Sequence, residues 1–369
     1  MGTRFERMCK GDQPLAEVIV NIRKELQEIP QALEQMWEEG RPLYDELVRR
    51  ATWAERPVFM LGDGPAYPAA LTGAWAFESL LGMPVVAQRP AAFSAYSIRT
   101  LAHRSLVIVA AGADESEETL AAIEKARDRG AIVWAFAADP AGELASHANA
   151  TANDFSGEPG AGGSRSIFCR HAAMVFLAVA AARVLKAPGR QLNAQEEELG
   201  KLATHVQWVL DQIADAGGAL AKEMASLPEI VVTGGGAFYP IALEAAGRLQ
   251  QAAGLPAAGS DLLDLQQPFR PVLQPGSGVL YLSSSRCGIK LQVHQSASRT
   301  RQQGKQKIFA VTDSNDRQLS ERADMAVLLP ILTEACSALL TLAFLEVTTS
   351  CASRPRSEAA ARRKRTASS

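Results

Sequence analysis

The sequence predicts an α/β protein: two doubly wound parallel-sheet domains related by duplication, preceded by N-terminal helices. Three observations carry this. First, Gly62-Asp-Gly-Pro-Ala-Tyr-Pro-Ala-Ala-Leu71 recurs as Gly234-Gly-Gly-Ala-Phe-Tyr-Pro-Ile-Ala-Leu243, an offset of 172 residues. The match runs without a gap to Gly82-Met-Pro84 and Gly254-Leu-Pro256, with nine identities over 23 positions, where ordinary residue usage gives roughly two. Second, each glycine motif follows a short β-rich run, Val58-Phe-Met-Leu61 or Ile230-Val-Val-Thr233. Third, short apolar runs alternate with amphipathic stretches, the pattern of a parallel sheet covered on both faces.

Along the chain, residues 1–52 form an N-terminal helical segment. Leu15 to Arg50 has a helix-favouring composition interrupted by Pro30 and Pro42, so two or three helices are expected. The first α/β domain spans 53–192, with strands near 57–61, 84–87, 106–111 and 131–137 and about five in all. Between them, Glu115 to Asp128 places Leu120, Ile123 and Ala126 at helical spacing with charges on the other face. A long linking helix is expected over 193–227, after Pro188-Gly189. The second domain spans 228–350, where Leu106-Val-Ile-Val109 finds its counterpart in Gly278-Val-Leu-Tyr281. Residues 351–369 hold Arg354, Arg356, Arg362, Arg363, Lys364 and Arg365 against Glu358, a basic tail expected to be solvated and disordered.

Composition limits the function. Of 369 residues, Lys and Arg number 38 and Asp and Glu 40, for a net charge of -2. That balance excludes a generally basic nucleic-acid binder, and nucleic acid is not an expected partner. The five cysteines are widely spaced, with no Cys-x-x-Cys pair; this speaks against a disulfide or zinc scaffold and fits a reducing cytoplasm. No apolar signal core follows Met1, and the run Ala172 to Ala182 falls short of the roughly 20 residues that span a bilayer. A cytoplasmic protein without membrane contact is expected.

A strand that ends in Gly-x-Gly and feeds a helix exposes backbone N–H groups to an anion, and glycine allows close approach and positive φ. Gly62, Gly64, Gly235 and Gly236 are therefore candidate binding positions. Tyr67 and Tyr239 stand at the third glycine position of a dinucleotide fingerprint, and no Walker sequence occurs, so neither nucleotide fold is indicated. Two further loops are polar. Ser283-Ser-Ser-Arg-Cys-Gly288 offers Ser283, Ser285 and Arg286 for phosphate. Gly160-Ala-Gly-Gly-Ser-Arg-Ser166 places Ser164, Arg165 and Ser166 at a helix start, where they bind an anion or cap the helix. Arg286 beside Cys287 is a candidate for lowering the thiol pKa, and His294 a candidate acid or base.

The repeat Gly-x-Gly-x-x-Tyr-Pro-x-Ala-Leu followed by Gly-x-Pro resembles sugar isomerase (SIS) domains. Over roughly residues 28 to 356 the chain is similar to the tandem-SIS isomerase half of glucosamine-6-phosphate synthase and to fructosamine-phosphate deglycases. Phe77-Glu-Ser-Leu-Leu-Gly82 and Pro355-Arg356 also carry the likeness. The resemblance implies a sugar phosphate or amino sugar phosphate as ligand, a homodimer, and ketose/aldose isomerisation or deglycation without metal or organic cofactor.

Departures from the family pattern are specific. The phosphate loop Ser-x-Ser-Gly-x-Thr reads Ala111, Ala113, Asp114 and Ser116 here, replacing hydroxyls by a carboxylate that repels phosphate. The family's Gly-Glu-Leu-Lys-His-Gly-Pro segment maps onto Leu263 to Pro268, with Asp264 at the acidic position and Gln267 at the histidine. The other family glutamate falls near Ala258 and the terminal lysine on Ala360. Asp264, with Asp261 nearby, is the carboxylate the resemblance leaves as proton-transfer base. Residue 2 is Gly2 and no glutaminase domain precedes the repeat, so glutamine-derived ammonia transfer is not expected. The losses also fit a second reading, a non-catalytic carbohydrate-derivative sensor or pseudoenzyme subunit.

Overall fold

The computed structural model describes residues 15–51, 57–111, 116–157, 163–187, 190–266 and 273–367. The first sheet comprises β1 (Val58–Gly62), β2 (Val85–Gln88), β3 (Leu106–Ala110), β4 (Ile132–Ala137) and β5 (Ala150–Asn153), in the order β2-β1-β3-β4-β5. The second comprises β6 (Ile230–Gly234), β7 (Ala257–Asp261), β8 (Gly278–Leu282), β9 (Lys307–Asp313) and β10 (Met325–Leu329), in the equivalent order β7-β6-β8-β9-β10. All pairings are parallel. The duplication extends to register. Val58 lies opposite Val85 and Leu106, while Ile230, 172 residues later, lies opposite Ala257 and Gly278 at that same offset.

The strands sort themselves by burial. β1, β3, β6 and β8 are buried at every position, as their uninterrupted apolar sequences require, whereas the edge strands β2 and β7 are partly exposed. Alternate side chains of each strand enter different cores. Val58, Met60, Ile108 and Phe136 of the first sheet join Ile230, Val232, Leu280 and Phe309 of the second in one core that spans both halves. Phe59, Leu61, Val107 and Val133 pack outward in a separate cluster, and Val231, Val279 and Ile308 form its counterpart.

Helices α3 (Ala66–Leu81) and α7 (Ser164–Val184) of the first half meet α11 (Phe238–Ala253) and α14 (Glu334–Ala367) of the second in the layer between the sheets, with α1 (Leu15–Gln35) against them. Ser164–Val184 and Glu334–Ala352 are long and apolar enough to cross a membrane although neither is an uninterrupted apolar run; 89% and 94% of their respective most apolar stretches are buried in the protein. Their apolarity serves this central layer.

Three local expectations change. Pro30 lies inside α1 rather than ending it; its neighbours Ile22, Leu26, Ile29 and Leu33 are buried, and packing outweighs the lost hydrogen bond. The break comes later, at a π-helical turn over Met36–Gly40, after which Pro42 opens α2 (Arg41–Arg50). The linking segment is three helices, α8 (Arg190–Gly200), α9 (Leu202–Gln212) and α10 (Ala214–Ala225), which turn at Lys201 and Ile213. A Cβ at Gly200 would stand 3.0 Å from Trp37, so close packing against the N-terminal helices guides the first turn. The backbone of the basic tail continues α14 to Ala367, helical rather than irregular, as its alanines, arginines and glutamate favour.

Candidate functional site at the strand ends

In open parallel sheets ligands gather beyond the carboxyl ends of the strands, where neighbouring crossovers leave in opposite directions. Here those switch points lie between β1 and β3 and between β6 and β8. Both are approached by the repeated glycine loops. A Cβ at Gly62 would fall 2.2 Å from the Ala66 carbonyl oxygen, and one at Gly234 would fall 2.6 Å from the Phe238 Cβ, so each helix can fold back tightly only on a glycine. Gly64 and Gly236 take φ of 48° and 59°, a conformation that costs glycine nothing. The repeat identities thus mark two copies of one strand-to-helix turn.

The tyrosines after these glycines come together where the halves meet. α3 packs on α11, and the Tyr239 phenol is pushed above its usual range by burial first, then by the neighbouring charges of Tyr67, Asp261 and Asp264. The Arg89 guanidinium, just past the end of β2, lies 4.6 Å from the centre of the Tyr67 ring, a cation–π contact. Asp264 is exposed and opens a 3₁₀ turn over Asp264–Gln266, which the buried Leu265 anchors. Asp261 accepts the Leu263 N–H at 2.8 Å. This group combines two carboxylates, two phenols and one exposed guanidinium, a set suited to gripping hydroxyls and moving a proton.

The other candidates lie apart from that group. Ser164 is fully buried between the halves; its hydroxyl donates to Glu346 and accepts from Arg248 Nη2 at 3.0 Å. Arg165 reaches Glu28 at 3.2 Å and the Phe155 carbonyl at 3.2 Å, and the Ser166 hydroxyl donates to the Gly163 carbonyl at 3.0 Å. On the second copy's loop, the Ser285 N–H donates to Asp313 at 2.7 Å, and Arg286 is half exposed, 3.6 Å from Glu198. Ser283 is buried. Ala113 and Asp114 of the altered phosphate loop, and Gln267, lie outside the described residues.

Cys287 corrects an expectation. Its thiol is buried and pushed up to about 12, first by burial and then by the Glu334 carboxylate; Arg286, adjacent in sequence, does not activate it. His294 is mostly buried, and its Nε2 meets Asp316 at 2.7 Å, where Asp316 also caps the helix over Arg317–Ser320.

Three features escape sequence reasoning. Glu334, the first residue of α14, reaches the second copy's switch point and accepts the Gly288 N–H at 3.0 Å and the Ala237 N–H at 3.4 Å. Its carboxyl is raised from the usual range by burial, which those amide bonds only partly offset. Between the halves runs a buried polar seam. Thr72 meets His171 Nδ1 at 2.7 Å, Glu244 lies 3.9 Å from the other nitrogen of that ring, and Arg248 pairs with Glu346. Its one sequence signal is polar residues on otherwise apolar helical faces, Glu346 within Leu-Thr-Leu-Ala-Phe-Leu-Glu most clearly. Asp154, just past β5, is wholly buried and its carboxyl is raised, chiefly by burial.

Among the described residues no cluster of three or more His, Cys, Asp or Glu side chains is placed to hold a metal ion. An open groove at the amino ends of β3, β4 and β5, lined in part by His103, Arg104, Glu124, Arg127 and Asp128, mixes both signs of charge and lies at neither switch point.

A family model described as the SIS domain matches residues 53–183 and 223–351. The chain is 26% identical over 313 residues to the isomerizing glutamine–fructose-6-phosphate aminotransferase of Synechocystis, covering 78% of this chain and 47% of that protein. It spans about half the length of the curated relatives it matches. Among solved structures, the C-terminal domain of the glucosamine-fructose-6-phosphate aminotransferase from Francisella tularensis superposes with a TM-score of 0.77 at 14% identity, covering 90% of this chain and 95% of that one. Tagatose-6-phosphate ketose/aldose isomerase from Escherichia coli gives 0.69 at 14% identity, covering 90% and 92%. These structural likenesses concern the fold.

Proposed function

The chain belongs to the SIS domain family and carries the domain twice, and from that premise we propose that it acts on a phosphorylated keto or amino sugar, as an isomerase or deglycase. The single observation that carries this reading is the group at the strand ends, where the paired tyrosines of the repeat share their surroundings with Asp261 and Asp264. The sugar-phosphate enzymes among its relatives supply the substrate class.

In this reading Asp264 takes a proton from the carbon next to the sugar carbonyl and returns it to the neighbouring carbon. Aldose and ketose then interconvert with no net gain or loss of atoms. Tyr67 and Tyr239 hold hydroxyls. The first copy's glycine loop, Gly62 to Gly64, lets the sugar approach the backbone, and Arg89 supplies the exposed positive charge that a phosphate needs in a protein of near-zero net charge. Arg286 is a second available cation, provided that a phosphate displaces Glu198 from it. Ser164, Arg165 and Ser166 contribute by fixing the start of α7 rather than by ligand contact, because the two hydroxyls and both terminal nitrogens of Arg165 have partners inside the protein. We further propose a homodimer in a reducing cytoplasm, where the described cysteines Cys169, Cys287, Cys336 and Cys351 remain free thiols.

The test is turnover. Purified protein is incubated with fructose-6-phosphate, glucosamine-6-phosphate and fructosamine phosphates in deuterated water, and products are followed by NMR. Isomerisation or release of the amine, with solvent deuterium at the carbon next to the carbonyl, is expected. A ligand that raises the melting temperature yet is never converted overturns the catalytic reading.

A further inference from the structure

The two copies share one fold, and the second copy's switch point holds a group supplied by the chain itself. In the second copy, the loops after β6 and β8 turn backbone N–H groups toward the space between them, the arrangement that receives an oxyanion in folds of this kind. That space holds a carboxylate from the same chain. Glu334 Oε2 accepts from Gly288 on one loop, and Oε1 accepts from Ala237 on the other. The fit is close: a Cβ at Gly236 would stand 2.6 Å from Oε1. The Cys287 thiol lies against the same carboxylate, and the Ser283 hydroxyl lies against the thiol. Ser283 and Ser284 are 2% and 1% exposed, and their hydroxyl oxygens make no hydrogen bond of good geometry among the described residues. Buried hydroxyls of that kind are expensive unless a ligand or water engages them. The stretch of the first copy that matches the start of α14, Gly160 to Ser164, has no carboxylate in its sequence, although the first copy's loop after β3 carries Asp114 and Glu115.

We propose that the second copy's switch point is a latent phosphate site, held shut by Glu334 as a built-in anion. The cradle uses the same amide donors that a phosphate would use, and the resident carboxylate excludes a phosphate both by volume and by charge. The hydroxyl-rich loop of the second copy, Ser283-Ser-Ser285, is otherwise the better suited of the two to a phosphate, since the first copy's loop carries Asp114 and Glu115. This inference does not depend on the catalytic reading, since it concerns phosphate binding to backbone amides and is read by stoichiometry rather than by turnover.

The probe is inorganic phosphate, and the readouts are calorimetric stoichiometry and crystallography on the full chain. Glu334→Ala is expected to bind one more phosphate per chain than the parent protein. Adding Ser283→Ala to Glu334→Ala should weaken that extra site by about tenfold, the loss of one hydrogen bond to a charged group. Crystals of the parent protein soaked in phosphate should keep Glu334 on Gly288 and Ala237. An unchanged stoichiometry in folded Glu334→Ala overturns the proposal. So does phosphate bound between Ala237 and Gly288 in the parent crystals, a measurement that holds even if the variant fails to fold.

Discussion

Arg248 and Glu346 form a two-pronged ion pair in the layer between the halves, with Nε at 3.0 and 3.1 Å from the two carboxylate oxygens and Nη2 at 2.9 Å from one of them. The side chains are 7% and 1% exposed, so water contributes little to either charge. Ser164 completes the arrangement from α7, and three helices of two domains are tied at one point.

Removing one partner should therefore cost far more than a surface ion pair would. Glu346→Ala leaves the Arg248 guanidinium buried without its anion, and a loss of about 3–5 kcal/mol is expected. The double variant Arg248→Met/Glu346→Leu removes both charges and should recover most of that loss. Urea unfolding of the three proteins checks this; a double variant no better than Glu346→Ala would show that the pair is stabilising in itself rather than costly when broken.

Asp154 gives a pH dependence with a definite sign. Its Oδ1 accepts from the Ser156 N–H at 2.9 Å and from the Ser156 hydroxyl, while Oδ2 is buried with no partner among the described residues. Burial raises the carboxyl, so the fold disfavours its charged form. The resulting penalty is fully present above the raised pKa and fades as pH falls toward the unfolded value, where both states are protonated. Asp154→Asn keeps the two bonds to Oδ1 and removes the charge. It should raise the melting temperature near pH 7, by about 1–2 °C for each kcal/mol recovered in a chain of this size, and the gain should vanish near pH 4. Melting curves from pH 4 to 8 decide it, and a gain that grows on acidification would be incompatible.

The duplication was fully legible because it resides in local patterns: uninterrupted apolar strands, and glycines that a tight turn demands. The site was legible only in part. Ser164 stands at a helix start like those that bind anions, but whether such a start faces a cleft or another domain depends on packing across 182 residues to Glu346. Arg286 and Cys287 are neighbours in sequence, yet within the loop one side chain turns out to Glu198 and the other turns in beneath Glu334. Glu334 itself carries no local signal, because its partners are backbone amides on two distant loops.

That divergence predicts the order of thiol labelling. Cys169, Cys287 and Cys336 are all buried and pushed up to about 12 by burial, which leaves roughly one thiolate in thirty thousand at pH 7.5. Cys351 is partly exposed. In a Cys9→Ser background, iodoacetamide should label Cys351 first, with the other three reacting only on unfolding. Peptide mass spectrometry over time checks this. Fast labelling of Cys287 in the native protein would show that Arg286 activates the thiol after all.

The proposed base makes the sharpest functional prediction. The Asp264 side chain is exposed, and replacing it with asparagine leaves the buried Leu265 of the same turn in place, so folding should be untouched. A general base contributes about 10²- to 10⁴-fold to the rate, and Asp264→Asn should lower kcat by that factor while KM changes little, because the loss falls on the transition state rather than on binding. Asp261→Asn is the matched control: it removes the neighbouring charge beside Tyr239 but keeps an oxygen for the Leu263 N–H, and should reduce kcat far less. Deuterium exchange at the carbon next to the carbonyl separates proton abstraction from later steps. If Asp264→Asn still exchanges at the parent rate while Asp261→Asn does not, the base is Asp261 and the acidic position inferred from the family motif is displaced by three residues.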